Sequence, residues 1–502
     1  MEMGSTHKAW FLGIDIGTGS CKAVVADENL EILGFGTSDY GGEDPRVKWL
    51  EQNVYEILSA TIESSLKAID KAKVEKNKCV ALSIGGALHT FLPVGDDGDP
   101  LTPAITWADV RAAGYAERLR LSGLGLELYK RTGCPPHPMY PFYKLLWLKE
   151  ERPEVFKKTR RILSVKEFVF HRITGKYAVD YSLASGSGFL NAKTLRWDEL
   201  ALEVAGVKPD IFSPLCEPTS SFSFVNEEIA QKIGVPQKTI VVMGSSDAVN
   251  SSLGAGAVSP NQATCMVGTS GAMRVMERKP IIDEKMRTWC YAIESGRWLI
   301  GGAINNGGII LDWLKDVLEI SSTSDILSMA EKSEIGGKGV ICLPFFAGER
   351  SPNWNFNARA SILGLTLEHK KEHIARAFLE SIAFRLRSVQ NALSELVPDI
   401  GEVRVSGGLT QSSFWLRMLA GVLKKEILVP AWKETSALGA SIWAMIGAGV
   451  FNGLGDASKL VKVEEKFEPD PQEVQTYDRT FRLYEKLYNL LSPIFSEFSA
   501  LY

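Results

Sequence analysis

The stretch Met266-Val267-Gly268-Thr269-Ser270-Gly271-Ala272-Met273-Arg274-Val275 has a counterpart near the start of the chain, Ile14-Asp15-Ile16-Gly17-Thr18-Gly19-Ser20-Cys21-Lys22-Ala23. In each, an apolar run meets Gly-Thr, small polar residues follow, and a basic residue leads into further apolar sequence. Gly17 and Gly268 are 251 residues apart, about half of the 502-residue chain. A repeat on that scale speaks of architecture first. It predicts two similar domains, each opening with a strand, a tight glycine turn and a strand. The exposed amides of such a turn form a concavity for anions, so two of them would face each other across one nucleotide. Taken alone, either turn reads equally as an ordinary glycine hairpin.

Thr18 and Ser20 put hydroxyls at the tip of the first turn, and Lys22 adds positive charge. Asp15, just before it, is the odd member. A carboxylate beside a phosphate cradle is unfavourable unless a cation lies between them, which points to Mg²⁺.

Upstream of the second turn lies Val241-Val242-Met243-Gly244-Ser245-Ser246-Asp247-Ala248. An apolar strand stops at glycine, and a carboxylate follows where a helix would begin. Asp247 there can accept a proton from a bound hydroxyl; equally, Ser246 or Asp247 can be a helix cap. Residues 253–260 are rich in Gly and Ala and read as a domain junction. The expected domains are therefore 1–253 on the substrate side and 254–502 on the nucleotide side.

Other stretches of the first half could border a cleft. Cys79–Ile84 is β-like and ends in Gly85-Gly86-Ala87-Leu88-His89. His89 at a strand's carboxyl end is well placed for a ligand in an α/β pattern. In Trp107-Ala108-Asp109-Val110-Arg111 an aromatic, an acid and a base alternate. On an extended segment they would face one way and suit a polyhydroxylated ligand; otherwise they make a surface ion pair beside a buried tryptophan. Residues 49–72 read as a helix. Pro141-Phe142-Tyr143-Lys144 opens another, and residues 182–188 read as a small-residue loop.

In the second half, Asn305-Asn306-Gly307-Gly308 precedes an apolar helix, and Ser406-Gly407-Gly408-Leu409-Thr410-Gln411 repeats the strand, double glycine and polar turn. A glycine-lined helix start can hold phosphate oxygens or let a flat base lie close. Gly348–Asn355 is a polar loop, residues from His373 form a core helix, and residues 474–502 form a long amphipathic helix.

Composition narrows the class. Hydrophobic residues make up 45% of the chain, enough for full cores. A net charge of -4 gives no footprint for nucleic acid. No window reaches the roughly 18 apolar residues of a membrane span, and the first residues show no secretory pattern. Seven scattered cysteines without a C-x-x-C read as reduced thiols of a cytoplasmic protein.

Taken together and in order, the motifs resemble the FGGY family of carbohydrate kinases, over about Phe11 to Gly447. The pieces that carry the likeness are Asp15-Ile16-Gly17-Thr18, Pro141 to Trp147, Asp247, Gly268-Thr269-Ser270-Gly271, Gly348-Glu349-Arg350-Ser351-Pro352 and Ser406-Gly407-Gly408. Within the family the likeness is strongest to the members that act on gluconate, through Val267–Arg274, Thr288–Ala292 and Trp298–Gly308. The resemblance implies an α/β, two-domain, duplicated actin-like ATPase (ribonuclease H-like) fold with the ligand cleft between the domains. It implies phosphoryl transfer from ATP, with Mg²⁺, to a primary alcohol of a sugar or sugar acid. Asp247 would be the general base, and it and Asp15 would lie near the metal. Thr18, Ser20, Lys22 and Thr269 would meet phosphate, with Gly308, Gly408 and Gln411 on the nucleotide side. His89, Trp107, Asp109 and Lys144 would lie on the sugar side, with Lys144, Arg111 or His89 facing a substrate carboxylate. Gly19 stands where many relatives have threonine or serine, so one phosphate contact is expected to be missing. A homodimer is compatible with the family.

Two rivals share these features. A ketose kinase would use His89 and Asp247 equally well, since they handle hydroxyls. An actin-like ATPase that regulates other proteins would share the hairpin turns but needs no sugar cleft.

Overall fold

The computed structural model describes residues 9–41 and 50–499. Three expectations reach outside them: the absence of a leader, read from residues 1–8; the helix start at Trp49; and the end of the tail helix at Tyr502.

The first domain is built on a six-stranded sheet. Strands β1 (Trp10–Ile16), β2 (Ser20–Asp27) and β3 (Ile32–Asp39) form an antiparallel meander. Helix α1 (Val54–Ala72) covers one face, capped by the Asn53 side chain. Strand β4 (Cys79–Gly86) runs parallel to β1 on its other side. Helices α2 (Pro141–Glu151) and α3 (Val165–Thr174) precede the last two strands, β5 (Ser221–Ser223) and β6 (Ile240–Val242). The order across the sheet is β5-β6-β4-β1-β2-β3. Helix α4 (Asp247–Gly254) leaves the carboxyl end of β6.

The second sheet repeats the plan. Strands β7 (Gln262–Val267) and β8 (Gly271–Glu277) form the second glycine hairpin. Strands β9 (Trp289–Glu294) and β10 (Arg297–Ile304) follow, then helices α5 (Ile309–Leu318) and α6 (Lys371–Leu396). The parallel strands are β11 (Glu402–Ser406) and, after helix α7 (Ser413–Leu423), β12 (Glu426–Pro430). Helix α8 (Thr435–Gly447), strand β13 (Val463–Phe467) and helix α9 (Pro471–Leu491) complete the domain. The order is β9-β10-β8-β7-β11-β12-β13. Set against β3-β2-β1-β4-β6, the run β10-β8-β7-β11-β12 has the same connectivity and directions; β9 and β13 are extra edges. This is the duplicated α/β fold implied by the sequence repeat.

The halves are joined by more than the junction. Helix α8 belongs to the second half by sequence, yet it packs on β1, β4 and α4 of the first. The crossing is close because Gly439 and Gly254 have no Cβ: one on Gly439 would meet the Asn250 carbonyl, and one on Gly254 that of Thr435.

Four local expectations change: the helix read over 49–72 begins only at Val54, after the extended pair Glu51–Gln52, and the tail helix ends at Leu491 in a 3-10 turn, Ser492–Ile494. Residues 182–188 open as a short helix, Tyr181–Ser185, rather than a loop, because Asp180 caps it by accepting from the Ser182 and Leu183 amides. Residues 107–111 are a turn, not an extended segment. Among the described residues no helix is long and apolar enough to cross a membrane. All seven cysteines are free thiols.

Candidate active site

The strand-to-helix turn before α4 settles which residue caps it. Ser246 is the N-cap, its hydroxyl facing the Val249 amide at 3.5 Å. Asp247 is thereby left in the first helical turn with its carboxyl at a cavity wall, where the helix dipole favours negative charge. Its Oδ1 accepts from the Ala248 amide at 2.8 Å. Burial pushes this carboxyl up from its ordinary range, and the charge of Arg274 opposes that. The turn is held from below. The Ser246 amide donates to Ser182 Oγ at 2.8 Å, and Trp443 Nε1 donates to Ser245 Oγ at 2.8 Å. A fully buried Lys166–Asp180 ion pair of 2.7 Å anchors the Ser182 helix.

Asp15 lies one residue from the end of β1, opposite Lys22 on β2 and beside Gly85 on β4. It is buried, and its Oδ1 has no hydrogen-bond partner. Burial and then the charge of Asp247 push it up to about 7. A buried carboxylate oxygen without a donor is costly unless a cation meets it. In the second hairpin the position opposite Ala272 is Met266, so this acid occurs in the first half alone.

Between the two hairpins lies a cavity of about 370 Å³. Thr18 and Gly19 border it from one domain and Gly268, Thr269 and Ser270 from the other. His89 lines it in a left-handed conformation, φ 66°. Its Nδ1 donates to the Gly186 carbonyl at 2.6 Å, which leaves Nε2 as an acceptor in the neutral ring. Burial lowers its pKa to about 3, so the ring is neutral at physiological pH. Trp107 also lines the cavity. Its Nε1 donates to Thr18 Oγ1 at 3.0 Å, tying the turn to the first hairpin, and the Arg350 guanidinium lies 4.8 Å from its ring centre.

Several residues picked from the sequence are engaged elsewhere. Lys144 is buried and its ammonium donates to the His89 and Thr106 carbonyls at 2.7 and 2.6 Å, bracing the segments that carry His89 and Trp107. Asp109 is buried behind Trp107, where it accepts from the Leu50 amide at 2.7 Å and pairs with Arg111 at 2.8 Å. Neither Lys144, Asp109 nor Arg111 lines the cavity, so the substrate contacts expected of them are corrected: long-range partners claim their charges. Lys22 pairs with Glu434 at 2.6 Å, linking the first hairpin to the start of α8. Ser20 closes that hairpin through its carbonyl, which accepts from the Gly17 amide at 3.0 Å.

On the second-domain side, the Gly308 amide donates to the Gly268 carbonyl at 2.7 Å, and those of Gly307 and Ile309 donate to Thr269 at 3.2 Å. These amides are not free to hold phosphate, as a helix start was expected to do. What the glycines permit is close approach of α5 to the hairpin. Gly408 and Gln411 are exposed in a 3-10 turn after β11, beside the same end of β7.

Among the cavity residues that the sequence reading did not pick are two cations. Arg274 on β8 and Arg350 in the Gly348–Asn355 loop are buried and border the cavity. The signal for Arg274 was a lone charge inside the otherwise buried strand Gly271-Ala272-Met273-Arg274-Val275-Met276. In the repeat it is the basic partner of Lys22, which by itself points to no ligand.

The model of the FGGY family of carbohydrate kinases, N-terminal domain, matches residues 10–254, and that of its C-terminal domain matches residues 263–448. A gluconokinase from Bacillus subtilis (strain 168) is 36% identical over 501 residues, covering 97% of each chain. The crystal structure of a gluconate kinase from Lactobacillus acidophilus superposes with a TM-score of 0.93 at 30% identity, covering 98% of this chain and 100% of that one. A ligand-bound xylulose kinase from Lactobacillus acidophilus does so equally, with a TM-score of 0.93 at 31% identity and the same coverage.

Proposed function

Because the chain belongs to the FGGY family of carbohydrate kinases, we propose that it transfers the terminal phosphoryl group of ATP to the primary hydroxyl of D-gluconate, giving 6-phosphogluconate. The observation that carries the proposal is the Asp247 carboxyl at the start of α4, on the wall of a cavity bordered by both glycine hairpins.

Asp247 acts as general base on the hydroxyl, and its raised pKa makes it a better proton acceptor than an ordinary carboxylate. Phosphoryl transfer needs positioning and charge neutralisation more than covalent help. Thr18 and Thr269 at the hairpin tips are the phosphate-facing residues, with Gly408 and Gln411 toward the nucleotide and Gly308 allowing close approach. His89 Nε2 accepts a sugar hydroxyl, and Trp107 offers an apolar face to the sugar's carbon chain. Asp15 and Asp247 would hold Mg²⁺. The orphaned Asp15 oxygen fits that role, and among the described residues no cluster of three His, Cys, Asp or Glu side chains would hold a metal without help from phosphate oxygens. The ion would supply charge neutralisation on the phosphates.

The test is ADP release measured across gluconate, D-xylulose, D-ribulose and glycerol. Gluconate is expected to lead; turnover of a pentulose far above gluconate would overturn the assignment. A ketose kinase is the second reading, and the equal superposition on a xylulose kinase favours it.

A further inference from the structure

Overall shape does not separate an acid from a ketose, since kinases named for either superpose equally well. The charge on the cavity wall does. Along β8, Ala272 and Arg274 point to one face. Opposite them on β10 stand Ala303 and Gly301. Trp289 and Tyr291, stacked at 4.3 Å, complete the same wall from β9. Arg274 is therefore a single guanidinium on a wall of small and aromatic side chains. Its Nε and Nη1 are buried and find no hydrogen-bond partner.

Arg350 stands on the same cavity. It donates through Nη2 to the Ile304 carbonyl at 3.1 Å, while its Nε is also buried without a partner. The neighbouring carboxylate, Glu349, forms its ion pair with Arg385 at 2.9 Å, although its charge also bears on Arg350. Among the described residues neither Arg274 nor Arg350 forms an ion pair. Burial brings Arg350 down to about 10; the charges of Glu349, Tyr291 and Tyr140 oppose the shift, and that of Arg274 adds to it. Two desolvated guanidinium groups with unused N–H donors on one cavity are an unfavourable arrangement until an anion joins them.

We propose that Arg274, assisted by Arg350, receives the carboxylate of an acidic sugar substrate and so selects a sugar acid over a neutral ketose. This rests on the kinase reading above but not on gluconate as the particular acid. The other anion to consider is the transferred phosphoryl group. Arg350 stacks on Trp107, its charge bears on His89 and Tyr291, and the rings of those two residues lie 5.8 Å apart. Arg274 shares a cross-strand row with Gly301 and with Trp289, which stacks on Tyr291, and its charge also bears on Asp247. The two cations thus border one cavity, Arg350 beside Trp107 and Arg274 beside the Trp289–Tyr291 pair. An acid whose primary hydroxyl lies at Asp247 would have its carboxylate at the far end of its carbon chain.

The experiment compares wild type with Arg274→Gln and Arg274→Lys on sugar acids (gluconate among them) and on D-xylulose. Gluconate binding is measured calorimetrically without nucleotide, and circular dichroism checks the fold. In Arg274→Gln the ratio of kcat/KM for the acid to that for the ketose is expected to fall about 100-fold, mostly through KM, as for loss of a charge-assisted pair. Calorimetric affinity should fall in parallel, and Arg274→Lys should recover part of it. A uniform fall for acid and ketose, or a rise in the KM of ATP instead, would overturn the proposal and assign the guanidinium to the phosphoryl group. Should wild type prefer another sugar acid, with the ratio still falling in the variant, the carboxylate site stands and the gluconate assignment fails. Turnover of neutral sugars alone by wild type would overturn both.

Discussion

Asp15, one residue from the end of β1, lies under the charge of Asp247, in the first turn of α4: after burial, the Asp247 carboxylate is the largest influence raising Asp15, to about 7. Two acids brought together beside a phosphate cradle are stable as a pair of anions only with a cation between them.

Asp247→Asn keeps the shape of the side chain and removes its ability to take a proton. The fold and nucleotide affinity are expected to persist, while kcat drops at least about 100-fold. Steady-state kinetics with an ATP-binding titration checks this; near-normal kcat would remove Asp247 from the role of base.

The ligand-free protein should lose stability as pH rises. Asp15 has a folded pKa above its unfolded one, so its contribution is complete below about 4 and disappears as pH passes about 7. Relative to Asp15→Asn, wild type is expected to weaken across that window by on the order of 4 kcal/mol, and Mg²⁺ with nucleotide should reverse the loss. Thermal melts of both proteins between pH 4 and 8 measure it, and parallel curves would contradict it.

At the crossing of α4 and α8 even a methyl group meets backbone. Gly439→Ala is expected to cost about 1–3 kcal/mol and to lower kcat, because α4 carries Asp247. Gly455→Ala, where a Cβ meets nothing within 4 Å, is the control. Equal melting temperatures for the two variants would refute the tight crossing.

Lys144 braces two segments of the substrate end rather than facing the cavity. Lys144→Met should destabilise the chain by about 3 kcal/mol and raise the KM of the sugar as His89 and Trp107 loosen. Nucleotide affinity should hold. A rise in sugar KM with no change in melting temperature would speak for direct contact instead.

The duplicated fold was legible because its signals are local and repeated. A glycine turn between two apolar runs specifies a hairpin wherever it occurs, and the same pattern half a chain later specifies a second domain. Asp247 was legible for the same reason, since strand, turn and helix start are neighbours in the chain. The division of labour in which Ser246 caps the helix and Asp247 faces the cavity is also a matter of adjacent residues, but local spacing left it open.

Folding alone distributed the charges. Lys144, Asp109 and Arg111 looked like ligand contacts by composition, and Arg274 like a strand residue. Which of them meets a ligand depends on whether a distant group claims it first: the His89 and Thr106 carbonyls hold Lys144, and Asp109 and Arg111 hold each other, while among the described residues no carboxylate forms an ion pair with Arg274. A buried charge takes whichever partner packing brings within about 3 Å, and that distance is set by contacts between residues remote in the chain.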